Sequence, residues 1–212
     1  MLQLSFDHFR KFLFLRHNRK NWRKSGIPTS DGCGAVMRIC PLAIALSGET
    51  LSISAEISAQ VTHGHPNALG AAVATSRLLR KVLEHGLLTP QMVADEAQAI
   101  RLTHPEATDV PLALEAAIHQ AKRREIDWLD EKSIPAGDGG WRSPSALGLA
   151  LTAALHWSDD FSTAIDKAAR IDGDSDSVAC LTGMFLGAVG GVEALPLNWL
   201  NRKQVRKILI VK

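Results

Sequence analysis

Apolar residues recur at helical intervals along most of the chain. In "VPLALEAAIHQA", Val110, Leu114, Ala117, Ile118 and Ala121 fall on one face of a helix. Residues 50 to 62 place Leu51, Ile53, Ile57 and Val61 at mostly helical steps. "PNALGAAVATSRLLRKVLEHG" opens at Pro66 and stops at Gly86. Proline pre-sets a first turn and glycine supplies a left-handed stop. "PLAIALSG" reads as a helix opened by Pro41 and ended by Gly48, and Thr89-Pro90 and Ser143-Pro144 read as cap-then-proline starts. Asp159 in "WSDDF" reads as another N-cap, and Leu2, Phe6, Phe9 and Leu13 predict a buried stripe on an N-terminal helix with a basic face. Strand signals are sparse: there is no sustained alternation and no tyrosine. The pattern predicts an all-α fold, one domain over residues 1–212. Its one long irregular stretch is "SIPAGDGGWRSP", 133 to 144.

Composition narrows this only a little. The chain has 212 residues, 46% hydrophobic and 22% charged, enough for a full core in one domain. A net charge of +2 gives no global field for nucleic acid, although residues 1–24 hold seven Lys/Arg against one Asp. Cys33, Cys40 and Cys180 form no CxxC pair and leave one thiol over in any disulfide scheme, which favours a reducing, cytoplasmic setting. No apolar run is read as long enough to span a membrane.

Three loops carry candidate chemistry. "DGDSDSVAC" crowds Asp172, Asp174 and Asp176 before an apolar helix expected to begin near Ser175 or Asp176. Capping and the helix dipole account for one or two of these acids; the third suggests a hard cation. A calcium hand is excluded, since its sixth position is Ser177 rather than Gly and its twelfth is Gly183 rather than Glu. The spacing suits an Asp-x-Asp-Ser set, and capping remains the competing reading. "SDGCGAVMRICPL", 30 to 42, places Gly32 and Gly34 around Cys33, with Arg38 following. Such a turn can cradle a phosphate or simply let backbones pack. Cys33 as a nucleophile has little support, with no evident group to lower its pKa. "THGHP", 62 to 66, carries His63 and His65 without a third zinc ligand at a recognisable spacing.

In their order along the chain these segments resemble the ADP-ribosylglycohydrolase family. "GCGAVMRICPL" stands where the family has Gly-Asn-Gly-Ala-Ala-Met-Arg-x-x-Pro, and "THGHP" where it has a Thr-His-x-His-Pro-like segment. "GGWRSPSALGLAL" resembles its late helix, and "DGDSDSVACLTGMFLGAVGG" with "PLNW" its Gly-Gly-Asp-Thr-Asp-Thr ending. The resemblance runs from about residue 22 to the C-terminus. Departures are Cys33 for Asn, Asp172 for Gly, and serine for both threonines.

The resemblance implies an all-α enzyme that hydrolyses the glycosidic bond between ADP-ribose and a modified protein residue or small molecule, using two Mg²⁺ ions. It implies Asp174, Asp176 and Ser177 as metal ligands, and Gly32, Cys33, Gly34, Arg38 and His63 as the lining of the ADP-ribose pocket. It supplies no catalytic acid or base here. The family's opening Gly-Asp-Ala-x-Gly helix, its glutamate and its Thr-Asp-Asp-Thr segment have no counterpart in the sequence, so an N-terminally truncated domain is expected. Activity is then expected to be impaired, with self-association or a separate N-terminal fragment as partner; the alternative is a non-catalytic remnant that binds nucleotide or metal, or serves structurally.

Overall fold

The structure is a computed structural model. It describes residues 25–123, 129–130, 132–135 and 137–201; the N-terminal stripe of Leu2, Phe6, Phe9 and Leu13 lies outside them. The described residues form helices α1 (Cys40–Ala45), α2 (Gly48–Gln60), α3 (Pro66–His85), α4 (Pro90–Thr103), α5 (Asp109–Ala121), α6 (Ser143–His156), α7 (Phe161–Ala169), α8 (Ser175–Gly190) and α9 (Leu197–Leu200). Short 3-10 turns cover Cys33–Ala35 and Gly191–Ala194. Among the described residues extended pairing is limited to two isolated bridges, Ile27 with His63 and Gly32 with Arg142. The fold is all-α, as the pattern predicts.

Helix α3 is the hub, touching α1, α2, α4, α5, α6 and α8. Its small residues Ala68, Gly70, Ala71, Ala72 and Ala74 are buried, so neighbouring backbones approach closely. A methyl added at Gly70 would lie 2.5 Å from the Ala107 side chain. Helix α6 is the second buried element, with every residue from Ser143 to Ala154 buried. It packs on α5, α7 and α8, and Leu147, Leu149 and Leu151 are fully enclosed. Truncating one of these leucines to alanine removes about 2–5 kcal/mol, through lost transfer energy and the cavity left behind.

Local signals explain most boundaries. Gly86 sits at φ +68 and ends α3 as a left-handed cap. The Thr89 side chain accepts from the Met92 N–H at 3.2 Å and starts α4. Three expectations need correction. Gly48 does not end α1: that helix closes at Ala45, Leu46 turns extended, and Gly48 is the first residue of α2. Asp160, not Asp159, caps α7, accepting from the Thr163 N–H at 3.0 Å. Ser143 does not cap α6; its hydroxyl donates to the Gly32 carbonyl at 2.7 Å, a tertiary use that wins over the local one.

A fourth correction concerns α8. With the turn after it, Ser175–Ala194 is a 20-residue helical run of mean hydropathy 1.5, long and apolar enough by composition to cross a bilayer. Leu181, Phe185 and Leu186 are nevertheless buried, and the helix packs on α6 and α7. It serves here as one wall of the protein core.

Candidate functional site

Asp174 stands at the N-cap position of α8, yet its side chain makes no capping hydrogen bond. The carboxylate turns inward and is 7% exposed. Its Oδ2 accepts from the Cys33 thiol at 2.6 Å and lies 2.9 Å from the Ser177 hydroxyl. Ser177 Oγ, also buried, is within reach of Cys33 Sγ at 3.3 Å and Met37 Sδ at 3.0 Å. Loops 141 positions apart in sequence thus meet at one carboxylate oxygen. The capping reading of Asp174 is displaced by a tertiary one.

Backbone geometry fixes this meeting. The Asp174 N–H donates to the Gly139 carbonyl at 2.9 Å, and the Cys33 N–H to the Trp141 carbonyl at 3.0 Å. Gly139 and Gly140 both have positive φ, +69 and +92. A Cβ at Gly173 would fall 2.2 Å from the Gly139 carbonyl oxygen, so only glycine lets these strands of chain pass. Asp138 holds the double-glycine turn, accepting from the Gly140 N–H at 3.0 Å and from the Ser145 hydroxyl.

The histidine loop comes in from the other side. The His63 ring lies over the glycine turn: a Cβ added at Gly32 would sit 3.2 Å from its Nε2, and one at Gly34 3.3 Å from its Cε1. Its Nδ1 is 2.7 Å from the Thr62 hydroxyl. Arg38 braces the same two loops, donating to the Gly34 carbonyl at 3.1 Å, the Ser58 carbonyl at 2.7 Å and the Thr62 hydroxyl at 2.5 Å. These bonds give the guanidinium a bracing task between the two loops. His65 opens α3, its Nδ1 accepting from the Asn67 N–H at 3.2 Å.

Electrostatics follow the burial. Desolvation first, then the hydrogen bond to Asp174, pushes the Cys33 thiol up to about 12, so it stays protonated and donating. Asp174 is raised as well, chiefly by desolvation and also by the facing Asp176, against the lowering bonds from Cys33 and Ser177. Asp176 and Asp172 are exposed. Among the described residues, no three His, Cys, Asp or Glu side chains group as a metal centre would. Mg²⁺ asks for near-octahedral oxygen donors. The donors converging here are oxygens of Asp174 and Ser177 with sulfurs of Cys33 and Met37. Cys33 and Met37 put sulfur beside these oxygens, and Asp176 faces Asp174 from the exposed edge.

The structure thus gathers Gly32, Cys33, Gly34, Arg38 and His63 beside Asp174 and Ser177, with Asp176 on the exposed edge. The sequence reading missed the clamp around them. Arg142 Nε donates to Asp31 Oδ2 at 2.6 Å and its NH2 group to Asp109 Oδ2 at 2.7 Å. Asp109 also accepts from the Asn67 amide at 2.8 Å. One guanidinium therefore ties the glycine loop, the start of α3 and the start of α5 to the start of α6. The four residues are lone polar positions with no shared spacing; only the place of Asp31 beside Gly32, and of Arg142 within the "GGWRSP" segment, marked them.

Comparison with known proteins agrees with this architecture. The profile of the ADP-ribosylglycohydrolase family matches residues 5–210, and the chain belongs to that family. It is 30% identical over 195 residues to an uncharacterised protein of Archaeoglobus fulgidus, a match covering 89% of this chain and 58% of that protein. It is 25% identical over 181 residues to the ADP-ribosyl-[dinitrogen reductase] glycohydrolase of Rhodospirillum rubrum, covering 82% of this chain and 51% of the relative. To an ADP-ribosylarginine hydrolase of Pseudomonas putida it is 28% identical over 200 residues, covering 88% and 48%. The chain spans about half the length of the curated relatives it matches. The family match begins inside the basic N-terminal stretch, earlier than residue 22, where the resemblance was first read.

Proposed function

We propose that this chain recognises the ADP-ribose group of an ADP-ribosylated protein or small molecule and takes part in hydrolysing its glycosidic bond. The observation that carries the reading is the convergence of three sequence-distant polar loops, with Cys33 on Asp174 and the His63 ring on Gly32 and Gly34. Packing alone gives such loops no reason to share polar side chains at one place. The glycine turn lets the His63 ring lie directly against its backbone. His63, contacted by the Thr62 hydroxyl, brings an imidazole to the same place. Asp174 and Asp176 supply negative charge near the ribose, where positive charge develops at C1 as the bond breaks.

Turnover by these residues alone is expected to be low. Hydrolysis needs a held sugar, a placed water and a proton-transfer group. Among the described residues no third carboxylate joins Asp174 and Asp176. The test is two measurements on the full 212-residue chain: calorimetric titration with ADP-ribose, and release of ADP-ribose from an ADP-ribosylated protein beside an Asp176→Asn control. Binding with release close to background is expected. Failure of ADP-ribose to bind overturns the reading. Robust release, lost in the control, would place the missing proton-transfer group within this chain.

A further inference from the structure

We infer that Arg142 is a positioning residue: it places the glycine loop against the histidine loop, and with them the surface that meets ADP-ribose. The inference rests on the proposed function for the identity of the ligand and on geometry for the placement. The Arg142 guanidinium meets Asp31 Oδ2 through Nε and Nη2, each at 2.6 Å, and Nη2 also meets Asp109 Oδ2 at 2.7 Å. Asp31 immediately precedes Gly32. Asp109 and Asn67 exchange two hydrogen bonds: the Asn67 amide donates to Asp109 Oδ2 at 2.8 Å, and the Asp109 N–H donates to Asn67 Oδ1 at 3.2 Å. Asn67 is buried in the first turn of α3, and its N–H donates to His65 Nδ1 at 3.2 Å. A continuous polar path thus runs from the glycine loop through Asp31, Arg142, Asp109 and Asn67 to the histidine loop.

The same segment seats the glycine loop by its backbone. The Ser143 N–H donates to the Asp31 carbonyl at 2.7 Å, and the Cys33 N–H donates to the Trp141 carbonyl at 3.0 Å. Arg38 links the far end of the loop, from the Gly34 carbonyl to Ser58 and Thr62. Two guanidiniums therefore hold one short loop at both ends. Charge makes Arg142 hard to replace. Asp31 and Asp109 are partly shielded from water, with side-chain exposures of 16% and 31%. Without the guanidinium the two carboxylates stand uncompensated and repel, which pushes apart the segments that bear them. Lysine keeps the charge and loses the fork: an ammonium is a point charge on a flexible stem, whereas the planar guanidinium serves two acceptors in fixed directions.

The experiment uses the full chain with Cys40→Ser and Cys180→Ser, which leaves Cys33 as its one thiol. In this parent, Arg142→Lys and Arg142→Met are compared with Ile100→Ala, a control that weakens the core in α4 away from the clamp. Two quantities are read well below every melting temperature: the rate of Cys33 alkylation by iodoacetamide, and the calorimetric affinity for ADP-ribose. In the parent the Cys33 thiol donates to Asp174, and slow alkylation is expected. Both Arg142 variants should alkylate faster and bind ADP-ribose about tenfold or more weakly, methionine more so than lysine. The control should lower the melting temperature and change neither quantity. Arg142→Lys carries the test should Arg142→Met not fold. Affinities equal to the parent's overturn the inference, and so does an equal change in Ile100→Ala, which would reduce Arg142 to a stabilising residue. Lost affinity with unchanged alkylation would make Arg142 a direct ligand contact and overturn the positioning role. A parent that binds no ADP-ribose sinks the proposed function, and the alkylation rates then decide by themselves whether Arg142 places the loop.

Discussion

Asp160 and Asp174 are the same residue at the same local position, the N-cap of a helix, and they do opposite things. Asp160 is exposed and spends its carboxylate on its own helix, accepting from the Thr163 N–H at 3.0 Å and the Thr163 hydroxyl at 2.6 Å. Those bonds hold it below the usual aspartate range. Asp174 is buried, leaves its helix uncapped, and accepts from a thiol in a distant loop. Desolvation, with Asp176 close by, holds it above that range. Asp174 keeps a local hydroxyl partner in Ser177, but it leaves the backbone N–H groups of its helix uncapped and accepts a burial penalty while reaching a distant loop. The difference separates a cap from a site.

The largest expected effect breaks the site side of this comparison. Asp174→Ala removes the acceptor shared by Cys33 and Ser177, and the calorimetric affinity for ADP-ribose should fall by about tenfold or more. A titration that registers no change would reduce Asp174 to a packing residue. Next is Gly173→Ala. Its methyl meets backbone rather than a flexible side chain, so the loop that aims Asp174 must move, at a cost of about 1–3 kcal/mol. Chemical denaturation reads the loss, and an unchanged midpoint would mean that the close pass of residues 139 and 173 does not set Asp174's direction.

Smaller effects sharpen the contrast through pH. Asp174 has a raised folded pKa, so its ionised form costs stability at neutral pH, and that cost is relieved as pH falls through the raised value. Asp174→Asn should therefore raise the melting temperature at pH 7, with the gain shrinking as pH approaches the ordinary aspartate range. Asp160 has a depressed folded pKa. Its contribution is present above the unfolded value and lost as pH falls through the folded one. Asp160→Ala should lower the melting temperature by a small amount at neutral pH and leave ADP-ribose binding unchanged. Melting curves of both variants from pH 7 down to the acid limit should diverge in these opposite senses.

The sequence carried the helices well because their signals are local. Pro66 with Gly86, and Thr89 with Pro90, state where a helix begins or ends without reference to anything remote. The loop motifs were legible for the same reason, as short strings in a fixed order. What could not be read was how each polar residue is used. Asp159 and Asp160 are adjacent and equally good caps on paper; Ser143 has the profile of a cap and donates to Gly32 instead. The Arg142 clamp was invisible because Asp31, Asn67 and Asp109 reach it from three other segments. Those choices are settled by packing between distant parts of the chain, which spacing does not encode.

The Cys33–Asp174 contact also bears on how the chain folds. Joining residues 141 positions apart closes a very long loop. In the flexible-chain limit each doubling of loop length adds about 0.6 kcal/mol of closure entropy, and contacts of such high sequence separation slow folding. The intervening helices shorten that search once they have packed around α3. The cluster is therefore expected to assemble late, after the core. Chains halted part-way would carry native helices and a formed interior, yet no contact between Cys33 and Asp174.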